Sequence, residues 1–307
     1  MICRMDKLGL WYVRWDKSSN AYYSRLKTLN KSPATVEDFK SRFDIAIVTT
    51  LEGFDAKYTH NGYADGRDLA IFVKSELGTK IEYYISLPYY PYDPTHEDKN
   101  GRGNINTGDY WFDWIDGVLS VDSNSLIGFY WDLEYAWMFK DYQKGKKEST
   151  IKPEVLSKIA AYIHEKGLKF IWIPSAHTYA LQNTDIPSPT AMRSFDYIFV
   201  QSNYYMNSAE RYPVTFSQFC DWLSALKRIG SGKTHIVLEA DECVLGGHGN
   251  CRCCGNQKCC LTLASDYYFV QQKVLGRLDN PVVYYFGATL DVVDKVFDYY
   301  LTRMGVV

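Results

Sequence analysis

The sequence has no run of basic residues and no basic arm. Its 34 Lys and Arg stand against 36 Asp and Glu, a formal net charge of -2. Binding to a nucleic-acid backbone draws on clustered Lys and Arg, so nucleic acid is not an expected partner. No apolar stretch approaches the roughly 20 residues that span a bilayer, and the opening residues MICRMDKLGL carry no signal-like apolar core. A membrane is therefore not an expected partner either. The expected address is cytoplasmic, with an extracellular one left open by the cysteines described below. A strand–GxGxxG–helix opening and a GxxxxGK(S/T) loop are both missing, which removes the dinucleotide and P-loop readings. The six histidines form no HxH or HExxH pair, so a metal-dependent hydrolase or deacetylase is the weakest of the readings weighed.

With 307 residues and 46% hydrophobic content, the chain can bury one large α/β core. Eight short runs rich in β-branched and aromatic residues recur, at 8–15, 43–50, 80–87, 126–134, 168–175, 196–205, 234–241 and 281–288. Helix-compatible segments lie between them. Residues 32–42 open with Ser32 and Pro33, residues 152–167 run from Pro153 to a stop at Gly167, and residues 215–230 run from Thr215 to Gly230. Apolar strands alternating with helices imply a parallel sheet covered on both faces. Eight such units predict a closed (β/α)8 barrel, with an open α/β sheet as runner-up. The expected organisation is a single TIM-barrel domain over 1–307, with a Cys-rich loop insertion at 243–260 after the seventh barrel strand.

In such a barrel the functional end is the one where strands finish. Acids concentrate at the ends of the fourth and seventh runs: Asp132 and Glu134 in GFYWDLE (128–134), Glu239 and Asp241 in IVLEADE (236–242). Residues two apart in a strand share a face, so Tyr130, Asp132 and Glu134 form one ladder. A carboxylate on a buried face is costly unless it is paired or used. Paired with Arg14 or Arg193, these acids would do no chemistry. Unpaired, Glu134 and Glu239 face each other across the mouth as glycoside hydrolysis requires, one protonating the leaving oxygen, the other attacking or activating water. Asp132 is assigned to support. The 26 Tyr, 15 Phe and 8 Trp suit stacking on a sugar as well as packing. At the strand ends, Tyr130, His177, Gln201, Asn203, Tyr204 and Asp241 join Asp132 as expected substrate contacts, and Trp172 joins them through the resemblance that follows.

Four motifs carry a resemblance: GFYWDLE, FIWIPSA (170–176), FVQSNYY (199–205) and IVLEADE. In that order they resemble an uncharacterised glycoside-hydrolase-like TIM-barrel family. The likeness implies roles for Glu134, Trp172, Gln201, Asn203, Tyr204, Glu239 and Asp241. Ser202 stands where that pattern has Pro. The Asp-x-Glu of Asp132 and Glu134 is also similar to the chitinase-like barrels, whose Glu protonates while the Asp orients an acetamido group. The reading is a hydrolase of an oligo- or polysaccharide needing no cofactor for catalysis; the alternative is a non-catalytic carbohydrate-binding barrel.

Six of the eight cysteines, Cys243, Cys251, Cys253, Cys254, Cys259 and Cys260, crowd into the 243–260 segment. They suit either two or three disulfides, the preferred reading, or a structural zinc knot that could include His248.

Overall fold

The computed structural model describes residues 6–89, 107–121, 124–138, 151–175, 188–206, 214–230, 232–253 and 255–306. The long first strand, β1 (Lys7–Asp16), folds back into β2 (Ala21–Ser24), its antiparallel partner. Parallel strands follow: β3 (Ile45–Thr49), β4 (Glu82–Leu87), β5 (Leu126–Trp131), β6 (Lys169–Trp172), β7 (Tyr197–Val200), β8 (Thr234–Glu239) and β9 (Val282–Tyr285). Each pairs with the next, and β9 returns to β1, which closes the sheet. Helices α1 (Val36–Lys40), α2 (Gly62–Glu76), α3 (Asp109–Leu119), α4 (Pro153–Glu165), α5 (Pro189–Ser194), α6 (Phe216–Ile229) and α7 (Gln257–Leu275) lie between the strands, and α8 (Asp291–Arg303) follows β9. The fold is the (β/α)8 barrel that the eight apolar runs predict.

The local reasons are ordinary ones. Parallel strands buried on both faces read as continuous apolar runs, and all six residues of β8 are buried. Helix α6 starts in a capping box in which Thr215 and Gln218 satisfy each other's backbone N–H groups, and it stops at Gly230. Pro153 opens α4, where its missing N–H costs nothing. The hairpin strand β2 was not among the expected runs. Its four residues AYYS alternate in exposure and are held by pairing with Val13 to Asp16, too short a pattern to show in sequence.

Register settles which residues face the barrel interior. Tyr130 lies beside Ser86 and Ile171, whereas Trp131 lies beside Trp172 on the outer face. Trp131 packs there against Trp111 of α3, 5.1 Å between ring centroids, and against Tyr89 and Phe170. Truncating such a buried ring typically costs about 3–5 kcal/mol, so this wall is stiff. Behind it, α2 and α3 touch through backbone. A Cβ on Gly66 would run into the Trp114 carbonyl, and one on Gly117 into the Tyr63 carbonyl.

Candidate active site

The end of β5 is held by its neighbours past the last strand residue. Asp132 N–H donates to the Leu87 carbonyl at 3.2 Å, Ser175 N–H to the Glu134 carbonyl at 2.6 Å, and Gln201 N–H to the Pro174 carbonyl at 3.0 Å. Short bridges therefore carry the sheet register up to Glu134, Ser175 and Gln201. The inward ladder of Tyr130, Asp132 and Glu134 forms as the period of two requires.

Glu134 is half-buried. Gln201 Nε2 donates to its Oε2 at 2.9 Å, and its backbone N–H donates to Glu52 Oε1 at 2.8 Å. Burial pushes its carboxyl up to about 8, with the charges of Glu52, Asp132 and Glu239 adding to the shift and Gln201 opposing it. Asp132, 1% exposed, accepts from Thr49 Oγ1 at 2.9 Å, Thr50 N–H at 2.9 Å and Thr50 Oγ1 at 2.8 Å. Burial still raises it to about 7 against these donors and the Glu52 N–H.

Glu239, also 1% exposed, comes from the end of β8. Its Oε2 accepts from the Tyr267 hydroxyl of α7 and from Ser202 Oγ at 3.3 Å, while Oε1 has no hydrogen-bond partner among the described residues. Burial raises this carboxyl to about 7, against the hydrogen bonds of Tyr267, Ser202 and the Asn203 backbone. Tyr285 joins the two acids: its hydroxyl is driven upward first by the Glu134 charge, then by burial, then by Glu239 and Glu52. Among the described residues, no Lys or Arg pairs with Glu134, Asp132 or Glu239. Arg14 and Arg25 are both committed to Asp55, at 3.1 and 2.9 Å. A cavity of about 190 Å³ opens at the mouth, lined among others by Tyr12, Arg25, Leu51, Glu242 and Tyr285.

The second apolar run places Glu52 at the mouth end of the barrel, but gives it no role. Leu51, Glu52 and Gly53 all have positive φ, at 50°, 57° and 92°. For the two non-glycine residues that geometry costs roughly 1 kcal/mol each. Gly53 is required because a Cβ there would stand 2.7 Å from the Tyr89 carbonyl oxygen. The strained turn delivers the N–H groups of Thr50 and Glu52 to Asp132 and the Glu52 carboxylate to Glu134.

The other expected contacts divide. Tyr130 is inward but 1% exposed, a floor beneath the acids. Gln201 and Asn203 do converge: Asn203, at φ 55°, ties β7 to Ser175 through a 3.0 Å hydrogen bond. Trp172 and Tyr204 are corrections. Trp172 is 0% exposed on the outer face, stacked on Phe195, with its indole N–H on the Leu133 carbonyl at 2.6 Å. Tyr204 stacks on Phe219 and donates to Asp266 at 2.9 Å, with Arg252 over its ring. Both belong to the packing between sheet and helices. Asp241 reaches the cavity wall, but its oxygens accept from Tyr205 Oη at 2.7 Å, Cys243 N–H at 3.0 Å and the Asn250 N–H. It anchors the Cys-rich segment. His177 lies outside the described residues.

Within that segment a disulfide joins Cys253 and Cys259, which withdraws those two sulfurs from any metal set. Cys251 accepts from the Cys253 N–H at 3.4 Å and hydrogen-bonds Cys260, whose thiol burial pushes upward. Cys259 and Cys260 sit in the first turn of α7, and Glu242–Leu245, which contains Cys243, is a 3-10 turn, so the insertion is shorter as a loop than 243–260 implies. Cys254 lies outside the described residues. Among the described residues, no group of three or more His, Cys, Asp and Glu is placed to hold a metal ion, and no helix is long and apolar enough to cross a membrane.

No protein-family model matches the sequence. The chain is 30% identical over 232 residues to an uncharacterized protein of Methanocaldococcus jannaschii, a match covering 65% of this chain and 59% of that protein. The chain thus spans about three fifths of the length of the curated relative it matches. In structure it is similar to a GH18 chitinase from Flavobacterium johnsoniae, with a TM-score of 0.52 at 11% identity over 98% of this chain and 95% of that one. A GH26 beta-mannanase from Bacteroides ovatus gives 0.51 at 11% identity over 97% and 89%. A GH18 chitinase from Cycas revoluta, solved with (GlcNAc)4, gives 0.50 at 11% identity over 97% and 100%. The likeness is one of fold, the TIM barrel.

Proposed function

We propose that the chain is a glycoside hydrolase acting on an oligo- or polysaccharide at the mouth of the barrel. The observation that carries this reading is Glu134: a half-buried carboxyl held by Gln201 and raised to about 8, so that it still holds a proton at neutral pH. In this reading Glu134 gives its proton to the leaving glycosidic oxygen. Glu239, ionised above about pH 7, attacks the anomeric carbon or activates water. Asp132 supports Glu134 from beneath, and Gln201 and Asn203 keep the ends of β6 and β7 in place around it. The solved neighbours are named as chitinases and a β-mannanase, so N-acetylglucosamine and mannose oligomers are the first substrates to try. Release of reducing ends is measured for the native chain, Glu134→Gln and Glu239→Gln. Activity that both substitutions leave intact would sink the assignment.

A second reading is a carbohydrate-binding barrel without catalysis. It is favoured by the 1% exposure of Glu239 and the hold of Tyr267 and Ser202 on its Oε2. It expects no hydrolysis, and sugar binding that neither Gln substitution changes.

A further inference from the structure

We propose that Glu52 is the positioning residue for Glu134: its carboxylate fixes the Glu134 backbone by a hydrogen bond, and its negative charge keeps the Glu134 side chain protonated. The proposal rests on the reading of Glu134 as proton donor.

The geometry comes first. Glu52 and Glu134 are 82 positions apart, yet the Glu134 N–H meets Glu52 Oε1 at 2.8 Å. The contact is reciprocal along the same two segments, since the N–H groups of Thr50 and Glu52 donate to Asp132. The clamp thus fixes both residues of the Asp-x-Glu pair. It exists only because Leu51, Glu52 and Gly53 adopt left-handed φ values, a conformation that a free turn of this sequence would not favour.

Charge comes second. Glu134 is faced by Glu52 from the turn after β3, Tyr130 and Asp132 from β5 and its end, Glu239 from β8, and Tyr12 and Tyr285 from β1 and β9. All of these are acidic groups. The cation acting here, Arg25, reaches Tyr12 and is paired with Asp55. Carboxyls this close cannot all ionise together. Burial raises the carboxyls of both half-buried residues, but Glu52 accepts the Glu134 backbone N–H, which opposes its rise, whereas Glu134 is pushed further by the neighbouring charges, that of Glu52 the largest. On that balance the negative charge is placed on Glu52 and the proton on Glu134.

Glu52→Gln separates the two roles, because the amide oxygen still accepts the Glu134 N–H while the charge is gone. The measurement is the carboxyl titration of the ¹³C-glutamate-labelled chain by NMR, the Glu134 resonance being the one missing from Glu134→Gln. In Glu52→Gln the Glu134 midpoint should fall by about one unit or more. Glu52→Asp, which keeps the charge, should restore most of it. Glu52→Ala, which removes both the charge and the acceptor, should move the midpoint downward as well. A midpoint unchanged in both Glu52→Gln and Glu52→Ala would overturn the proposal, even if thermal stability fell. The titration needs no substrate. A shifted midpoint in a chain that hydrolyses nothing would refute the hydrolase reading and leave the Glu52 pairing standing, whereas hydrolysis with an unmoved midpoint refutes the pairing alone.

Discussion

Asp279 at the bottom of this barrel and the three acids of the candidate site at its mouth are buried in opposite ways. At the bottom, Asp279 precedes β9 and meets Lys227 Nζ at 3.0 Å and His235 Nδ1 at 3.2 Å, with the Ile236 and Asn280 N–H groups also donating. Burial works against its charge, but His235 and Lys227 outweigh burial and hold Asp279 below the usual carboxylate range. At the mouth, Asp132, Glu134 and Glu239 have hydroxyl, amide and backbone donors but, among the described residues, no cation, and all three are raised. A carboxylate whose charge is matched supports the fold. One left unmatched makes the fold less stable and keeps a proton available near neutral pH.

The sharpest way to break this contrast is Glu134→Gln, expected to lower kcat/KM about 10³-fold on any oligosaccharide that the native chain cleaves, with circular dichroism unchanged. Next in size is the bottom of the barrel. Asp279→Asn strands Lys227 and His235 and should cost about 2 kcal/mol, the usual penalty for a broken buried pair discounted for the partly exposed lysine. Urea denaturation measures that loss, and kcat should not change.

The pH profile sharpens the comparison further. Activity needs Glu239 ionised and Glu134 protonated, so it should rise through about pH 7 and fall through about pH 8, dropping tenfold per unit well outside that window. A maximum near pH 5 would rule out this division of roles. The smallest effect concerns stability. Asp132 binds its proton more tightly folded than unfolded, so its contribution favours folding at low pH and is lost as pH rises from about 4 to about 7. Asp132→Asn removes that slope and should raise Tm at pH 8 by about 2 °C relative to the native chain, roughly 1 kcal/mol. A Tm that falls equally at pH 5 and pH 8 would mean that the hydrogen bonds to Thr49 and Thr50 matter more than the charge.

Much of the architecture could be read from sequence because a parallel barrel repeats one signal: an apolar run, a helix cap, another apolar run. The inward ladder of Tyr130, Asp132 and Glu134 was legible too, since it needs only the period of two. The facing direction of more distant strands was not. Trp172 and Tyr204 look like sugar-stacking residues until register sets Trp172 beside Trp131 on the outer wall and Tyr204 against Phe219. Glu52 was legible as an acid at the mouth end of the second apolar run, but its role was not, because its partner is far along the chain and its turn depends on left-handed φ at a leucine and a glutamate, residues that do not advertise it. The one available clue was Gly53, following an acid directly after a strand.

One feature of the fold limits how this protein could be redesigned. Gly66 and Gly117 bring α2 and α3 together with no room for even a methyl group on either contact. An engineer therefore has little freedom on the side of β3 to β5, where a bulkier residue would push a helix away and drag the acid-bearing strand ends with it. New specificity is better built across the mouth, in the cavity beside Tyr12 and Tyr285, where Met206, after β7, can be exchanged without touching that contact.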